Sequence, residues 1–220
     1  MAMAHDSVAA ISKRSLEAQA TDVLRERIVS GAFGRGERIT ETPLAEAYGL
    51  SRGTIRAALR RLVEEGLVRQ VPYAGYRVGD FSDHDLWELY TLRGSLEALG
   101  ARLAADRITA EGAARLRERF EALLAAAQAN DLEDANRRDH ELHQLIVGLS
   151  GNQRLVQHYA RVENQFRAYI ALSNRAVEAD AIGESHRELV EAICAGEADR
   201  AGRLAERNVM PLAEGDASPD

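Results

Sequence analysis

At 220 residues the chain has room for one large domain or two modest ones, and 45% hydrophobic with 29% charged residues is the balance of a chain able to bury a core. The single cysteine, Cys194, excludes a disulfide framework and fits a reducing cytoplasm. No apolar stretch approaches the ~20 residues of a membrane-crossing helix, and His5 and Asp6, ahead of any apolar run, are not the start expected of a secretory leader.

Residues 1–14 are polar and weakly patterned and read as a mobile tail. From Leu16 an amphipathic helix is predicted through Ala20, Val23, Leu24 and Ile28, ending at Gly31. After the turn at Gly34 and Gly36, Pro43-Leu44-Ala45 opens a short second helix closed by Gly49. Ser51 is a good N-cap for a third, which buries Ile55, Leu59 and Leu62 and stops at Gly66. Leu67–Val71 and Tyr76–Val78 read as two short strands joined by Pro72, Tyr73, Ala74 and Gly75, a small β-hairpin and the only β signal in the sequence.

Everything from Ser82 onward is predicted helical. Ser82 and Asp85 form a capping box for a helix reaching about residue 106, and further helices are expected over about 109–129, 131–150, 152–174, 178–195 and 197–213. Breaks fall at Asn130, Gly151-Asn152, Asn174 to Val177 and Gly196. The expectation is a mainly all-α chain: a head over 15–79 and an antiparallel helical bundle over 82–213, with a polar tail over 214–220.

Charge divides along the same line. Residues 1–80 carry 12 Lys/Arg against 10 Asp/Glu, or +2, while residues 81–220 carry 16 against 25, or −9. A slightly basic head on an acidic body suits a chain in which only the head meets phosphate, although scatter of charges would give the same figures.

Helix, tight turn, helix and β-wing within about 60 residues is winged helix-turn-helix order, with the third helix entering the major groove of double-stranded DNA. Arg52, Arg56 and Arg60 stand at i, i+4 and i+8, one basic ridge beside the buried stripe. Arginine there can fork onto guanine or clamp phosphate. Thr54 is short enough for a phosphate oxygen or a thymine methyl, Gly53 admits close backbone approach, and the wing tip, Tyr73 and Gly75, would lie along the duplex.

In the body, Asp139 and His143 are four apart, hence on one helical face, with Leu132, Ala135, Leu142, Ile146 and Leu149. His186 shares a stripe with Leu189, Val190 and Ile193, and Asn208 one with Leu204 and Leu212. Three helices thus push ligand-capable side chains toward the core, where an unpaired carboxylate costs several kcal/mol. A divalent cation satisfies them together, with donors suited to zinc, nickel or manganese. Arg93, on the stripe of Leu86, Leu89, Leu96, Gly100 and Leu103, is either an anchor for an incoming carboxylate or the internal partner of Glu97; Arg167 is a weaker anchor of the same type.

Several separated blocks resemble the winged-helix domain of the GntR family: Leu24 to Gly31, Gly36 to Ile39, Leu44-Ala45, Gly49 to Arg52, Ile55 to Leu59 and Leu62 to Val68. The resemblance covers about 16–79 and implies DNA contacts by Arg52, Thr54 and Arg56. Where the family usually has a stiffer residue and Pro-Val-Arg after Ser-Arg, this chain has Gly53-Thr54-Ile55-Arg56, which bears on operator sequence. Over about 83–212, Arg93-xxx-Glu97, Asp139-xxx-His143, Gly151-Asn152 and His186 resemble the FadR-type (FCD) ligand domain of the same regulators.

That resemblance implies a metal site of Asp139, His143, His186 and, where the family has a last histidine, Asn208, with zinc or nickel the expected ion. It also implies a small organic acid as effector, met by Arg93, Glu97 or Arg167; a homodimer is expected because paired heads on a two-fold axis match a palindromic operator. The function expected is a ligand-responsive transcription regulator, read as a repressor, with no membrane partner. Two rivals use the same pocket: a metal-dependent enzyme, weakened by the lack of a nucleophile or base, and a metal-free sensor.

Overall fold

The computed structural model describes residues 14–80, 82–172 and 186–209. The chain divides into two compact units, one through Ile28 and from Ala32 to Gly79, the other residues 29–31 and the chain from Asp80 onward.

The first unit holds α1 (Leu16–Val29), β1 (Arg38–Ile39), α2 (Glu41–Tyr48), α3 (Arg52–Glu64), β2 (Val68–Val71) and β3 (Gly75–Val78). α1 buries Ala20, Leu24 and Ile28, but Leu16 and Val23 of the expected stripe face outward, at 59% and 45% exposure. α2 begins two residues earlier than Pro43 suggested, so proline sits in the first turn, where its missing N–H breaks no helical bond. Gly49 ends α2 in the left-handed region (φ 62°), where a side chain is strained, and its N–H returns to the Ala45 and Glu46 carbonyls. Ser51 then caps α3, its hydroxyl accepting from the Thr54 N–H at 3.0 Å. Ile55, Leu59 and Leu62 are fully buried.

The β signal is wider than a hairpin. β1 pairs antiparallel with β3, giving the order β1-β3-β2, with Arg38 opposite Arg77 and Val68 opposite Val78. Two residues are too few to show alternation, so β1 exists only because β3 offers it an edge.

The second unit, among the described residues, is helical: α4 (Asp83–Arg107), α5 (Ala110–Gln128), α6 (Leu132–Leu149), α7 (Gln153–Leu172), α8 (Arg187–Cys194) and α9 (Ala198–Val209). Ser82 and Asp85 make the capping box reciprocally. The expected stretches 173–185 and 210–213 lie outside the described residues. α4 is the central element, packed against α6, α7 and α9. Its core runs through Ala101, Leu116, Leu123, Leu142, Ile146, Leu189, Ile193 and Leu204. Close approach needs small residues: a Cβ on Gly202 would fall 2.5 Å from Arg102 Nε, and one on Gly100 3.1 Å from Val147. Leu132 departs from the expected face of α6, 42% exposed in the first turn.

Candidate metal centre and nucleic-acid interface

Four helical segments bring polar groups to one place inside the second unit. α4 contributes Arg93 and Glu97, α6 contributes Asp139, His140 and His143, α7 contributes Tyr159 and Glu163, and His186 precedes the first turn of α8. Arg93, Glu97, His143, Glu163 and His186 are all buried, none more than 4% exposed.

Asp139, His143 and His186 converge. Asp139 Oδ1 lies 3.2 Å from His186 Nε2 and 3.5 Å from His143 Nε2, and the two imidazole nitrogens are 2.9 Å apart, their rings edge to face. The i, i+4 spacing on α6 aims the first pair along one face, and α8 brings in the third donor. Two ring nitrogens at that separation cannot both present lone pairs with nothing between them; a proton or a cation is required. Asp139 Oδ1 is buried against these two imidazoles, so its charge is met by their protons or by a cation held between them. Burial disfavours its charge, but the neighbouring charges of His143 and His186 outweigh that and hold it well below the usual carboxylate range. His143 is raised to about 10: burial opposes its charge, and Glu97 and Asp139 more than compensate. Proton and metal ion therefore compete for the same nitrogen.

Behind this trio lies a second layer. Glu97 Oε2 stands 2.5 Å from His143 Nδ1. Glu97 Oε1 accepts from Arg93 Nε at 2.6 Å and from the Tyr159 hydroxyl at 3.0 Å. Tyr159 also reaches Glu163 Oε2 at 3.0 Å, Arg93 Nε is 3.4 Å from that oxygen, and His140 Nδ1 is 2.6 Å from Glu163 Oε1. The guanidinium lies 4.4 Å above the Phe166 ring. Against the penalty of burial, Arg93 and His140 hold Glu163 down at about 2, and Arg93 and His143 hold Glu97 below its ordinary range. Burial and the two carboxylates push the Tyr159 hydroxyl well up, keeping it a donor. Three carboxylates face one guanidinium in this network, leaving two negative charges if the imidazoles are neutral. A divalent ion matches that deficit, as would two imidazolium protons.

Of the remaining expected residues in this unit, Asn208 is half-buried near the end of α9 and Arg167 half-buried on α7. Arg93 has the internal partner that Glu97 offered as one alternative, together with a second, Glu163. His140, Tyr159 and Glu163 escaped the sequence reading. Glu163 carried the same signal as Asp139, an acid on an apolar stripe with Leu155, Tyr159, Val162 and Phe166. Cys194 Sγ lies 4.0 Å from the Ala113 carbonyl, and burial raises its thiol, which suits a structural role.

In the first unit, Arg52, Arg56 and Arg60 are exposed along α3, Thr54 is half-buried with its hydroxyl 2.8 Å from Ser51 Oγ, and the ridge is intact. Arg56 is not alone: its Nε and Nη2 both bond the Glu41 carboxylate at 2.7 Å, and Arg52 reaches the same group at 3.7 Å. The Arg56 bonds, against a smaller cost of burial, lower the Glu41 carboxyl. At the wing tip Tyr73 is fully exposed at φ 60°, and Gly75 follows at φ 85°. A short exposed turn capped by an aromatic is fit to lie against a duplex.

Residues 16–78 match the model of the bacterial regulatory proteins of the gntR family, and residues 88–209 that of the FCD domain. The chain is 26% identical over 191 residues to the probable D-xylose utilization operon transcriptional repressor of Paenarthrobacter nicotinovorans, covering 87% of this chain and 84% of that one. It is 28% identical over 196 residues to the transcriptional repressor GlaR of Escherichia coli, covering 85% and 89%. Among solved structures, E. coli McbR/YncC has a similar fold, with a TM-score of 0.79 at 22% identity over 91% of this chain and 96% of that one. No helix among the described residues is long and apolar enough to cross a membrane.

Proposed function

From a chain that belongs to the GntR family of DNA-binding transcriptional regulators and carries its FCD domain, we infer a metal-assisted sensor of a small organic acid, acting as a repressor. The family consists of regulators rather than enzymes. The observation that carries the finer reading is the convergence inside the second unit of Asp139 Oδ1, His143 Nε2 and His186 Nε2, all within 4.8 Å of one another.

One hard oxygen and two borderline nitrogens are the donor set of a divalent transition ion, with zinc or nickel favoured. Asn208 is assigned as the fourth protein donor, a neutral amide oxygen weaker than imidazole. A bound ion there supplies a Lewis-acidic anchor for a carboxylate. The chain's own residues bury that anchor, His143 and His186 being almost wholly screened from solvent, and the ion's charge matches the negative balance that the network otherwise carries.

On the DNA side, Arg52, Thr54, Arg56 and Arg60 are assigned to the major groove and Tyr73 and Gly75 to the adjoining backbone. The support is a capped, exposed ridge on a helix whose opposite face is fully buried. A homodimer is proposed because a two-fold pair of heads matches a palindromic operator. Leu92 and Leu99, two turns apart on α4 and 49% and 41% exposed, are the apolar surface offered to a second copy. Effector binding then alters operator affinity through a coupling of ~1–3 kcal/mol.

The test is elemental analysis of purified protein, followed by zinc titration and gel shifts on the DNA upstream of its own gene, with and without small carboxylates. One bound ion per chain and carboxylate-sensitive retardation are expected. Failure to take up zinc or nickel overturns the metal-assisted part. A metal-free sensor is the second reading, favoured by the carboxylates of Glu97 and Asp139 on either side of the His143 ring, which let the network close its charge with protons instead.

A further inference from the structure

We propose that Glu97 is the positioning residue of the metal centre: it accepts the Nδ1–H of His143 and so turns the Nε2 lone pair toward the ion. The inference rests on reading Asp139, His143 and His186 as that centre. It takes Arg93 and Glu97 from the effector contacts that the family resemblance implied to the layer that holds a metal ligand in place.

Geometry carries the argument. A neutral imidazole offers one donor and one acceptor, and which nitrogen is which is set by its partners. His143 has a carboxylate oxygen 2.5 Å from Nδ1 and the converging donors at Nε2. The carboxylate fixes Nδ1 as the protonated side, leaving Nε2 as the ligand atom. A carboxylate behind a metal-binding histidine also makes the imidazole more basic and locks its ring.

Glu97 is itself locked. Its other oxygen is held from its own helix by Arg93 and from α7 by Tyr159, so neither oxygen is free to swing toward the ion. The Arg93 Nε is committed to Glu97 and Glu163, and its plane is covered by Phe166. A guanidinium so placed is a poor receiver for an incoming acid and a good brace for a carboxylate. The competing explanation is that Glu97 only neutralises Arg93. That explanation predicts a change in stability and none at His143.

The experiment uses the full chain with zinc as the probe, comparing wild type, Glu97→Gln and Tyr159→Phe. Zinc affinity is read by competition with a chromogenic chelator. The His143 Nδ1 proton of the metal-free protein is read by NMR. Glu97→Gln is expected to weaken zinc about 10- to 100-fold and to move that proton upfield from a strongly hydrogen-bonded position. Tyr159→Phe keeps the carboxylate and loosens one brace; a loss of a few fold is expected, and this variant carries the test should Glu97→Gln not fold. Wild-type zinc affinity in both variants overturns the proposal while sparing the metal reading. A wild type that binds no zinc, yet loses the Nδ1 signal in Glu97→Gln, overturns the metal reading and upholds the hold of Glu97 on His143.

Discussion

Two arginine–glutamate pairs of nearly equal length stand in the two units of this chain. Arg56 of α3 meets Glu41 at 2.7 Å, with side chains 46% and 16% exposed; Arg93 meets Glu97 at 2.6 Å, with side chains 5% and 2% exposed. The first sits in water, where salt and solvent screen it and exposed pairs add little to stability. The second has no solvent to fall back on, so losing one member leaves an uncompensated buried charge. Distance alone does not rank the two pairs; their surroundings do. The exposed pair can exchange partners, as the proposed reading of DNA by Arg56 needs, and the buried pair is held, as the proposed bracing of His143 by Glu97 needs.

The largest test of that contrast is Arg93→Ala. Among the described residues it leaves Glu97 and Glu163 with Tyr159 and the imidazoles as partners, and should destabilise the protein by about 3–5 kcal/mol. Urea unfolding followed by circular dichroism measures it. A loss below about 1 kcal/mol would mean that water or a nearby cation already shares the load, and the contrast would collapse.

A second test uses pH. Glu163, buried beside Arg93 and His140, titrates at about 2 in the folded protein against an ordinary 4.5. A lowered folded value means that the stabilisation is present above 4.5 and is lost as pH falls through the interval toward 2. The loss attributable to this one group is on the order of 3 kcal/mol. Glu163→Gln should be less stable near neutrality and flatter between pH 4.5 and 2. A variant curve as steep as the wild type's would move the acid sensitivity to other carboxylates.

On the exposed side, Arg56→Ala should weaken binding to the chain's own upstream DNA about ten- to a hundred-fold if the side chain reads a base, with little change in urea midpoint. An anisotropy titration on that fragment and on an unrelated duplex of equal length separates base reading from phosphate contact, since a phosphate contact is lost equally on both.

How much of this was legible in the sequence follows the same division. Short-range signals were readable: Ser51 and Asp85 as caps, Gly49 as a stop, the ridge of Arg52, Arg56 and Arg60, and the polar intrusion of Asp139, His143 and His186 into apolar stripes. These depend on residues within a turn or two of one another. Partners across the fold were not readable. Glu41 is 15 residues from Arg56 and Tyr159 is 62 from Glu97, and nothing in local periodicity says that they meet. β1 was missed because its two residues owe their extended state to β3. Leu16 and Leu132 obeyed helical spacing yet face outward because each opens its helix, where a neighbouring element need not cover the stripe, and Val23, in mid-helix, is left outside the buried face formed by Ala20, Leu24 and Ile28.

The smallest expected effect is also the one that bears most directly on how the head reads DNA. Glu41 lies in the first turn of α2 and neutralises Arg56, with Arg52 at the edge of its reach. In water its bidentate hold adds little stability, so Glu41→Gln should leave the urea midpoint nearly unchanged. On DNA the two functions of that carboxylate separate. Its charge repels phosphate, so removing it should strengthen binding to an unrelated duplex and steepen the salt dependence by about one unit for each arginine freed to meet a phosphate. Its fork also fixes the plane of the Arg56 guanidinium, and a base contact needs that plane set before arrival. The ratio of specific to non-specific affinity should therefore fall by a few fold even as total binding rises. Equal gains on both duplexes would reduce Glu41 to a charge with no part in orientation, and the exposed pair would then be as dispensable as its setting in water suggests.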